Sequence, residues 1–99
     1  MARFDVFRSR SNGPLLLNCQ ADLLGDLATR FVVPLLPEAD VPRPMARLHP
    51  IFAIDGQRFV MATHLAAAIP SRELGERVVA LIDRQDEIAA ALDMLLVGF

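Results

Sequence analysis

Hydrophobic residues alternate with polar residues at the amino end of the chain, as in a strand with one buried face. The segment is ARFDVFR, with Ala2, Phe4 and Val6 on one face and Arg3 and Asp5 on the other. The next residues, SRSNGP, contain Asn12-Gly13, a pair that favours a turn. A return strand is predicted in LLLNCQ, so the pattern indicates a hairpin with a long loop.

Three further apolar runs predict strands. The first is RFVVPLL, in which Pro34 cannot donate a ladder hydrogen bond and should face an edge or a bulge. The proline-rich loop PEADVPRP follows. The other two runs lie in LHPIFAIDGQRFVMATH on either side of Asp55-Gly56, which suits a two-residue turn with positive φ. The pattern predicts strands at about 46–54 and 57–63.

The segment SRELGERVVALI, residues 71–82, is ambiguous. Its apolar positions fit a helical period, whereas Gly75 interrupts a helix and Val78-Val79 favour a strand. The pattern alone leaves both interpretations open.

The last part of the chain predicts a helix. Asp83 is a suitable N-cap, and Asp86 and Glu87 place negative charge near the positive end of the helix dipole. One apolar stripe at helical spacing comprises Ile88, Ala91, Leu92, Leu95 and Leu96. The opposite side carries Asp86, Ala90 and Asp93, and Val97 falls on this outward side because it follows Asp93 by four residues. Gly98 fits a left-handed helix stop.

The composition indicates a single domain, residues 1–99, that has a partner. A hydrophobic fraction of 54% and a mean hydropathy of +0.38 exceed what a small monomer comfortably hides, so a homodimer is expected. The formal net charge is -2, and all ten basic residues are arginine. This balance disfavours tight, direct binding of nucleic acid.

Nothing in the sequence indicates export or a membrane. The amino end, MARFDVFRSR, carries Asp5 and no long apolar run, so a signal peptide is not expected. No stretch approaches the roughly 18 apolar residues that a membrane span needs. Cys19 is the only cysteine, which excludes an internal disulfide and a cysteine-based zinc site. A cytoplasmic location is therefore expected.

Groups suited to catalysis are few. Cys19 lies in an apolar strand, where a buried thiol is unreactive. His49 and His64 could bind a metal together with Asp22 or Asp26, but they lack a ligand spacing such as HxxxH. Ordinary structural or surface histidines are the expectation. Since no P-loop or glycine-rich fingerprint is present either, the sequence predicts no enzyme, no cofactor and no metal site.

The whole chain resembles the CcdB family of bacterial toxins. The resemblance rests on VVPLL, RLHPIFAIDGQRFVMATHLAAAIP, LGERVVALI and ALDMLLVGF, in this order and with similar spacing, and ARFDVFR and QADLL fit as well. It implies a mainly β protein with one C-terminal α-helix, an SH3-like small β-barrel of the CcdB/Kid type that forms a homodimer. Under this resemblance, residues 71–82 are mostly strand and turn.

The resemblance also implies an activity that depends on binding and not on catalysis. Proteins of this family bind the A subunit of DNA gyrase and trap the enzyme on cleaved DNA, and a CcdA-like antitoxin neutralises them. The positions that match the gyrase-contacting residues are Leu23, Leu24, Asp93, Leu96, Val97, Gly98 and Phe99. Antitoxin contacts are expected at Arg8, Arg10, Asn12 and Arg43, since an acidic disordered peptide would meet arginines favourably.

The chain departs from the family pattern at its end, where the family commonly has Trp-Gly-Ile and this sequence has Val97, Gly98 and Phe99. Losing a hot-spot side chain commonly costs about 2 kcal/mol, or about thirtyfold in affinity. Phe99 could recover part of that loss with its own ring. Two alternatives stay open: a weakened toxin with a different target, and an RNA-cleaving toxin on the same barrel, since a related ribonuclease family shares that fold.

Overall fold

The computed structural model describes residues 2–98. These residues contain seven antiparallel strands and one α-helix. The elements are β1 (Asp5–Ser9), β2 (Leu15–Asn18), β3 (Thr29–Pro37), β4 (Ile51–Ile54), β5 (Gln57–Met61), β6 (Ala67–Pro70), β7 (Leu74–Ala80) and α1 (Gln85–Val97). The strands follow the order β4-β5-β3-β2-β1-β7 in one sheet, and β6 also pairs with β3. This sheet curls into a half-barrel, so the predicted fold class, a mainly β small barrel with one C-terminal helix, is confirmed.

Both predicted hairpins form. Asn12 adopts a φ of 60° in the loop that joins β1 to β2. Asp55 and Gly56 have φ angles of 52° and 80°, as the two-residue turn between β4 and β5 requires. The strand predicted at about 46–54 is wrong for residues 46–50, because the His49 N–H donates to the Met45 carbonyl at 2.7 Å and closes a turn there.

The alternation predicted in β1 is only half right. Val6 lies in the main core with Phe4, but Phe7 is also buried, in a second cluster on the other face of the sheet. Asp5, predicted to face outward, is 5% exposed, and its carboxylate forms an ion pair with Arg77 Nε at 3.0 Å. Both faces of β1 are therefore covered, and a simple one-face pattern could not show this.

Strand β3 changes its partner along its length. Its first part pairs with β6 and its last part with β5, and Pro34 lies between the two. Pro34 was predicted to face an edge or a bulge, and this gap between two strand partners agrees with that, because no ladder bond is needed from its nitrogen there. Strand β6 was not predicted, since the alanine-rich AAIP has low strand propensity and forms only by pairing with β3.

The ambiguous segment 71–82 is a strand for most of its length, as the resemblance implied. Strand β7 pairs with β1 with two register shifts, the second of which lies between Phe7 and Ser9. Gly75 faces this irregular region, and a Cβ placed on it would come within 2.9 Å of the Arg8 carbonyl oxygen. Only a residue without a side chain allows β7 to approach β1 so closely.

Replacing Gly75 with alanine is therefore expected to lower the free energy of unfolding by about 1–3 kcal/mol, because the backbone must move to admit the methyl group. Urea denaturation measures the change. Gly13→Ala is the control, since its added Cβ would meet serine side chains and no backbone, with the flexible Ser9 Oγ nearest at 3.3 Å. Equal stability losses for the two variants would contradict this account of the strand approach.

Helix α1 begins later than predicted. Asp83 lies in a preceding 3₁₀ turn, Ile82–Arg84, and the N-cap position is Arg84, so the Asp83 prediction is wrong. The Arg84 guanidinium instead donates to Glu87 at 2.6 Å and lies 4.9 Å from the centre of the Phe52 ring. The predicted stripe holds in its first half, where Ile88 and Ala91 are fully buried.

Candidate partner-binding surfaces

The end of helix α1 leaves the body of the protein. We call Leu96, Val97 and Gly98 the helix tip. Leu96, the last residue of the predicted stripe, is 74% exposed, and Val97 is 59% exposed, so neither side chain is buried in the core. Gly98 has a φ of 92° and donates its N–H to the carbonyls of Asp93 and Met94, which confirms the predicted left-handed stop. Phe99, also assigned to this surface, lies outside the described residues.

A second apolar surface lies between β2 and β3. Every residue from 21 to 29, which we call the leucine loop, is exposed. Leu23 is 94% and Leu24 47% exposed, as binding residues would be, and both belong to a short 3₁₀ turn, Asp22–Leu24. Sequence analysis missed Leu27, which is 51% exposed in the same loop. Its apolar character within a polar turn was the available clue.

Among the described residues, no hydrogen bond or ion pair joins the helix tip to the leucine loop. Helix α1 packs instead against the 3₁₀ turn Thr63–Leu65 and the turn before its own start. Asp93 is exposed on the helix, and its carbonyl takes part in the Gly98 stop. One chain therefore presents two apolar surfaces, the helix tip and the leucine loop, that no hydrogen bond or ion pair among the described residues connects.

The arginines assigned to the antitoxin occupy different environments. Arg8 is exposed on β1 and lines a cavity of about 170 Å³ together with Leu15, Phe59 and Val78. Asp55 lies at the same cavity, so the opening combines a cation, an anion and an apolar wall. This cavity could admit one side chain of an extended peptide.

The other assigned residues surround the first hairpin only in part. Arg10 is exposed, but its Nε donates to the Leu74 carbonyl at 3.1 Å, so part of its guanidinium group is engaged in a hydrogen bond within the fold. Asn12 is exposed in the hairpin loop with its left-handed φ. Arg43 lies on a separate loop, after the 3₁₀ turn Glu38–Asp40, and is also exposed.

The two histidines, far apart in sequence, form a direct pair. His49 is buried, and its Nδ1 accepts the Met45 backbone N–H at 2.9 Å. A neutral His49 must then carry its proton on Nε2, which lies 2.9 Å from Nδ1 of the exposed His64 and donates to it. His64 accordingly carries its own proton on Nε2. In this pair of tautomers, the outer nitrogen of His64 is a donor and not a base.

This arrangement does not suit a metal ion. Binding through His49 Nε2 would move the proton to Nδ1, which faces the Met45 N–H. Asp22, weighed as a further ligand, instead accepts the Arg3 N–H at 2.7 Å. Across residues 2–98, no three His, Cys, Asp or Glu side chains are grouped to hold a metal.

The histidine pair makes stability depend on pH. Burial, and to a lesser extent the charge of His64, lowers the pKa of His49. The cavity beside Pro50, the residue that follows His49, is lined by one cationic and one anionic side chain, Arg47 and Glu87. A protonated His49 would turn an Nδ1–H against the Met45 N–H, so the folded protein takes up this proton less readily than the unfolded chain. The contribution of the pair is therefore complete above the ordinary histidine pKa of about 6.5 and is lost as the pH falls below it.

We expect the free energy of unfolding to fall between about pH 7.5 and pH 5, by about 1.4 kcal/mol for each unit by which the folded pKa lies below the unfolded one. Urea denaturation at the two pH values measures the loss. In His49→Gln, which keeps a polar side chain without a titrating ring, the slope of stability against pH should be shallower. The same slope in both proteins would show that His49 is not the group responsible.

Cys19 offers no nucleophile. Burial raises the pKa of its thiol to about 12, so the thiolate is essentially absent at neutral pH.

Within the described part of the chain, no helix is both long and apolar enough to cross a membrane.

Comparison with known proteins agrees with this architecture. The family model described as CcdB protein matches residues 3–98. An endoribonuclease from Mycobacterial species has a TM-score of 0.74 and 18% identity, with 97% of this chain and 90% of that chain covered. An endoribonuclease in complex with its cognate antitoxin, also from Mycobacterial species, has a TM-score of 0.77 and 18% identity, with 97% and 94% covered. At this identity the two structures show a shared fold.

The curled sheet, the single C-terminal helix and the family match define a small toxin of a toxin–antitoxin system. The chain belongs to the CcdB family, because the match covers nearly all of it.

Proposed function

We propose that this CcdB-family toxin binds the A subunit of DNA gyrase and traps the gyrase–DNA cleavage complex. The helix tip and the leucine loop supply the contact, through Leu23, Leu24, Asp93, Leu96, Val97, Gly98 and Phe99. The toxin acts by binding and catalyses no reaction of its own.

The exposure of the helix tip carries the proposal. Apolar side chains at a helix end normally fold onto the core or fray. Here Leu96 and Val97 do neither, because the Gly98 stop fixes their positions while the buried Ile88 and Ala91 anchor the same helix. A fixed, exposed apolar surface is the kind that a partner protein covers.

A homodimer belongs to the proposal. Besides the two candidate surfaces, the described chain exposes other large apolar side chains, namely Met45, Leu65, Ile82 and Leu95. A small monomer rarely leaves this much apolar surface in water, and a two-fold pair would present two helix tips to one target. Light scattering on the purified protein measures the mass, and a monomer at micromolar concentration would contradict this part.

The antitoxin partner would be a CcdA-like protein with an acidic, extended segment. Arg8, Arg10, Asn12 and Arg43 are its proposed contacts, with one of its apolar side chains in the cavity beside Arg8. Binding of an acidic segment to arginines should weaken as salt rises. The structural relative solved with its cognate antitoxin supports the existence of such a partner.

A trapping assay tests the proposed target. Incubating purified protein with DNA gyrase and supercoiled plasmid should leave linear DNA after the gyrase is denatured and digested. A gyrase subunit from a strain resistant to toxins of this family is the matched control. Absence of linear DNA at high toxin concentration would contradict gyrase poisoning.

RNA cleavage is the second candidate, because both structural relatives are named endoribonucleases. Cleavage at a phosphate needs a base for the 2′-hydroxyl, whereas the hydrogen bonds of the histidine pair leave a donor nitrogen of His64 as its outer group. The chain also lacks lysine and carries a net charge of -2. These features favour the gyrase proposal. Incubation with single-stranded RNA distinguishes the two, since cleavage at defined sites would overturn our choice.

A further inference from the structure

The leucine loop has a fixed shape without a core of its own. None of the residues 21–29 is buried, and none belongs to a buried core cluster of the described chain. Its carbonyl groups instead converge on polar side chains that lie beneath it. The most buried of these is Arg30, which is 8% exposed.

Arg30 binds the loop through three backbone carbonyls. Its Nη1 donates to the carbonyls of Leu27 at 2.9 Å and Thr29 at 3.1 Å, and its Nη2 donates to that of Gly25 at 2.6 Å. No carboxylate among residues 2–98 forms an ion pair with Arg30. A buried cation needs compensation, and here the carbonyl dipoles of the loop provide it. The loop must therefore curl around the guanidinium.

Two neighbours complete this clamp. Gln20 Nε2 donates to the carbonyls of Leu24 at 3.0 Å and Thr29 at 3.2 Å, while its Oε1 accepts the Phe31 N–H. Ser71 donates from both Oγ and its backbone nitrogen to the Ala28 carbonyl, at 2.6 Å and 2.8 Å. Arg30 binds three carbonyl groups of the loop, more than Gln20 or Ser71 does, so it has the largest share in fixing the shape.

We propose that Arg30 is a positioning residue for target binding: it holds the leucine loop, including Leu27, in the shape that the target recognises, without itself touching the target. The identity of that target rests on the proposed function. A loop that is already ordered loses less conformational entropy on binding, so removing the clamp should weaken affinity even though every apolar side chain is retained.

Arg30→Lys tests the clamp, because lysine keeps the charge but has no planar fork for three carbonyls. Amide hydrogen exchange of residues 23–29 should accelerate at least about tenfold, while β3 and β5 keep their protection. Affinity for gyrase should fall about tenfold, and Arg30→Met should show larger losses of both. Arg58→Lys is the matched control, since Arg58 forms an exposed two-point pair with Glu38.

A second control separates the effect of losing the clamp from the effect of losing overall stability. Gly75→Ala weakens the fold at β7 and leaves the clamp intact, so at equal stability it should bind gyrase better than Arg30→Lys. Unchanged exchange of residues 23–29 in Arg30→Lys would overturn the proposal, and so would equal affinities of these two variants. A wild-type protein that fails to trap gyrase would instead overturn the proposed function, while the exchange measurement would still decide whether Arg30 holds the loop.

Discussion

Replacing Leu96 with glutamate is expected to lower gyrase trapping at least about 100-fold while the protein stays folded. Leu96 is 74% exposed, so its own fold gains little from it. At an interface, the substitution removes an apolar contact and leaves a carboxylate in a dry environment, and such changes cost about 3 kcal/mol or more. Each tenfold in affinity corresponds to about 1.4 kcal/mol, which gives the expected factor.

Ala90→Glu is the matched control for this prediction. Ala90 is exposed on the same helix, away from the tip, so a carboxylate introduced there should leave trapping intact. Circular dichroism and urea denaturation check that both variants are folded. Deleting residues 97–99 should also abolish trapping, but it removes the Gly98 stop, so the point substitution is cleaner. Normal trapping by Leu96→Glu would refute the assignment of the helix tip.

Introducing tryptophan at Val97 is expected to raise affinity for gyrase by about ten- to thirtyfold. The family commonly has tryptophan at this position, and Val97 is 59% exposed, so a larger ring can extend toward solvent there. A rigid aromatic ring buries a large apolar area at little conformational cost. Titration of labelled gyrase A subunit with toxin measures the change.

Asp86→Trp serves as the control for nonspecific adhesion, since Asp86 is exposed in the first turn of the same helix. It should leave gyrase affinity unchanged. If Val97→Trp binds no better than the wild type, then the missing tryptophan ring does not limit the affinity of the helix tip for gyrase. A different target, or compensation by Phe99, would then account for the departure from the family pattern.

Local chemistry predicted those features that a few neighbouring residues determine. Asp55-Gly56 forms the hairpin turn, and Gly98 ends helix α1. These positions need a positive φ, and the residue types that adopt a positive φ readily can be recognised in the sequence. Pro34 marks the interruption in β3 because it lacks a donor. The exposure of Val97 followed from helical periodicity alone.

Features that depend on distant partners could not be predicted in this way. Asp5 is buried because Arg77 reaches it from β7, and the histidine pair joins residues 15 positions apart. The clamp on the leucine loop depends on how β3 lies beneath it, so Arg30 resembles any other arginine in the sequence. The family resemblance predicted the fold as a whole, because it uses the order and spacing of motifs along the entire chain.

The pairing of β1 with β7 determines when this toxin can become active during synthesis. Strand β1 lies between β2 and β7 in the sheet, so its pairing is complete only after β7 has been synthesised. Sheets that join distant parts of a chain fold slowly and late. A nascent chain still held by the ribosome therefore lacks the closed half-barrel, and the helix that carries the tip emerges later still. An antitoxin that is already present has this interval in which to meet the newly made toxin.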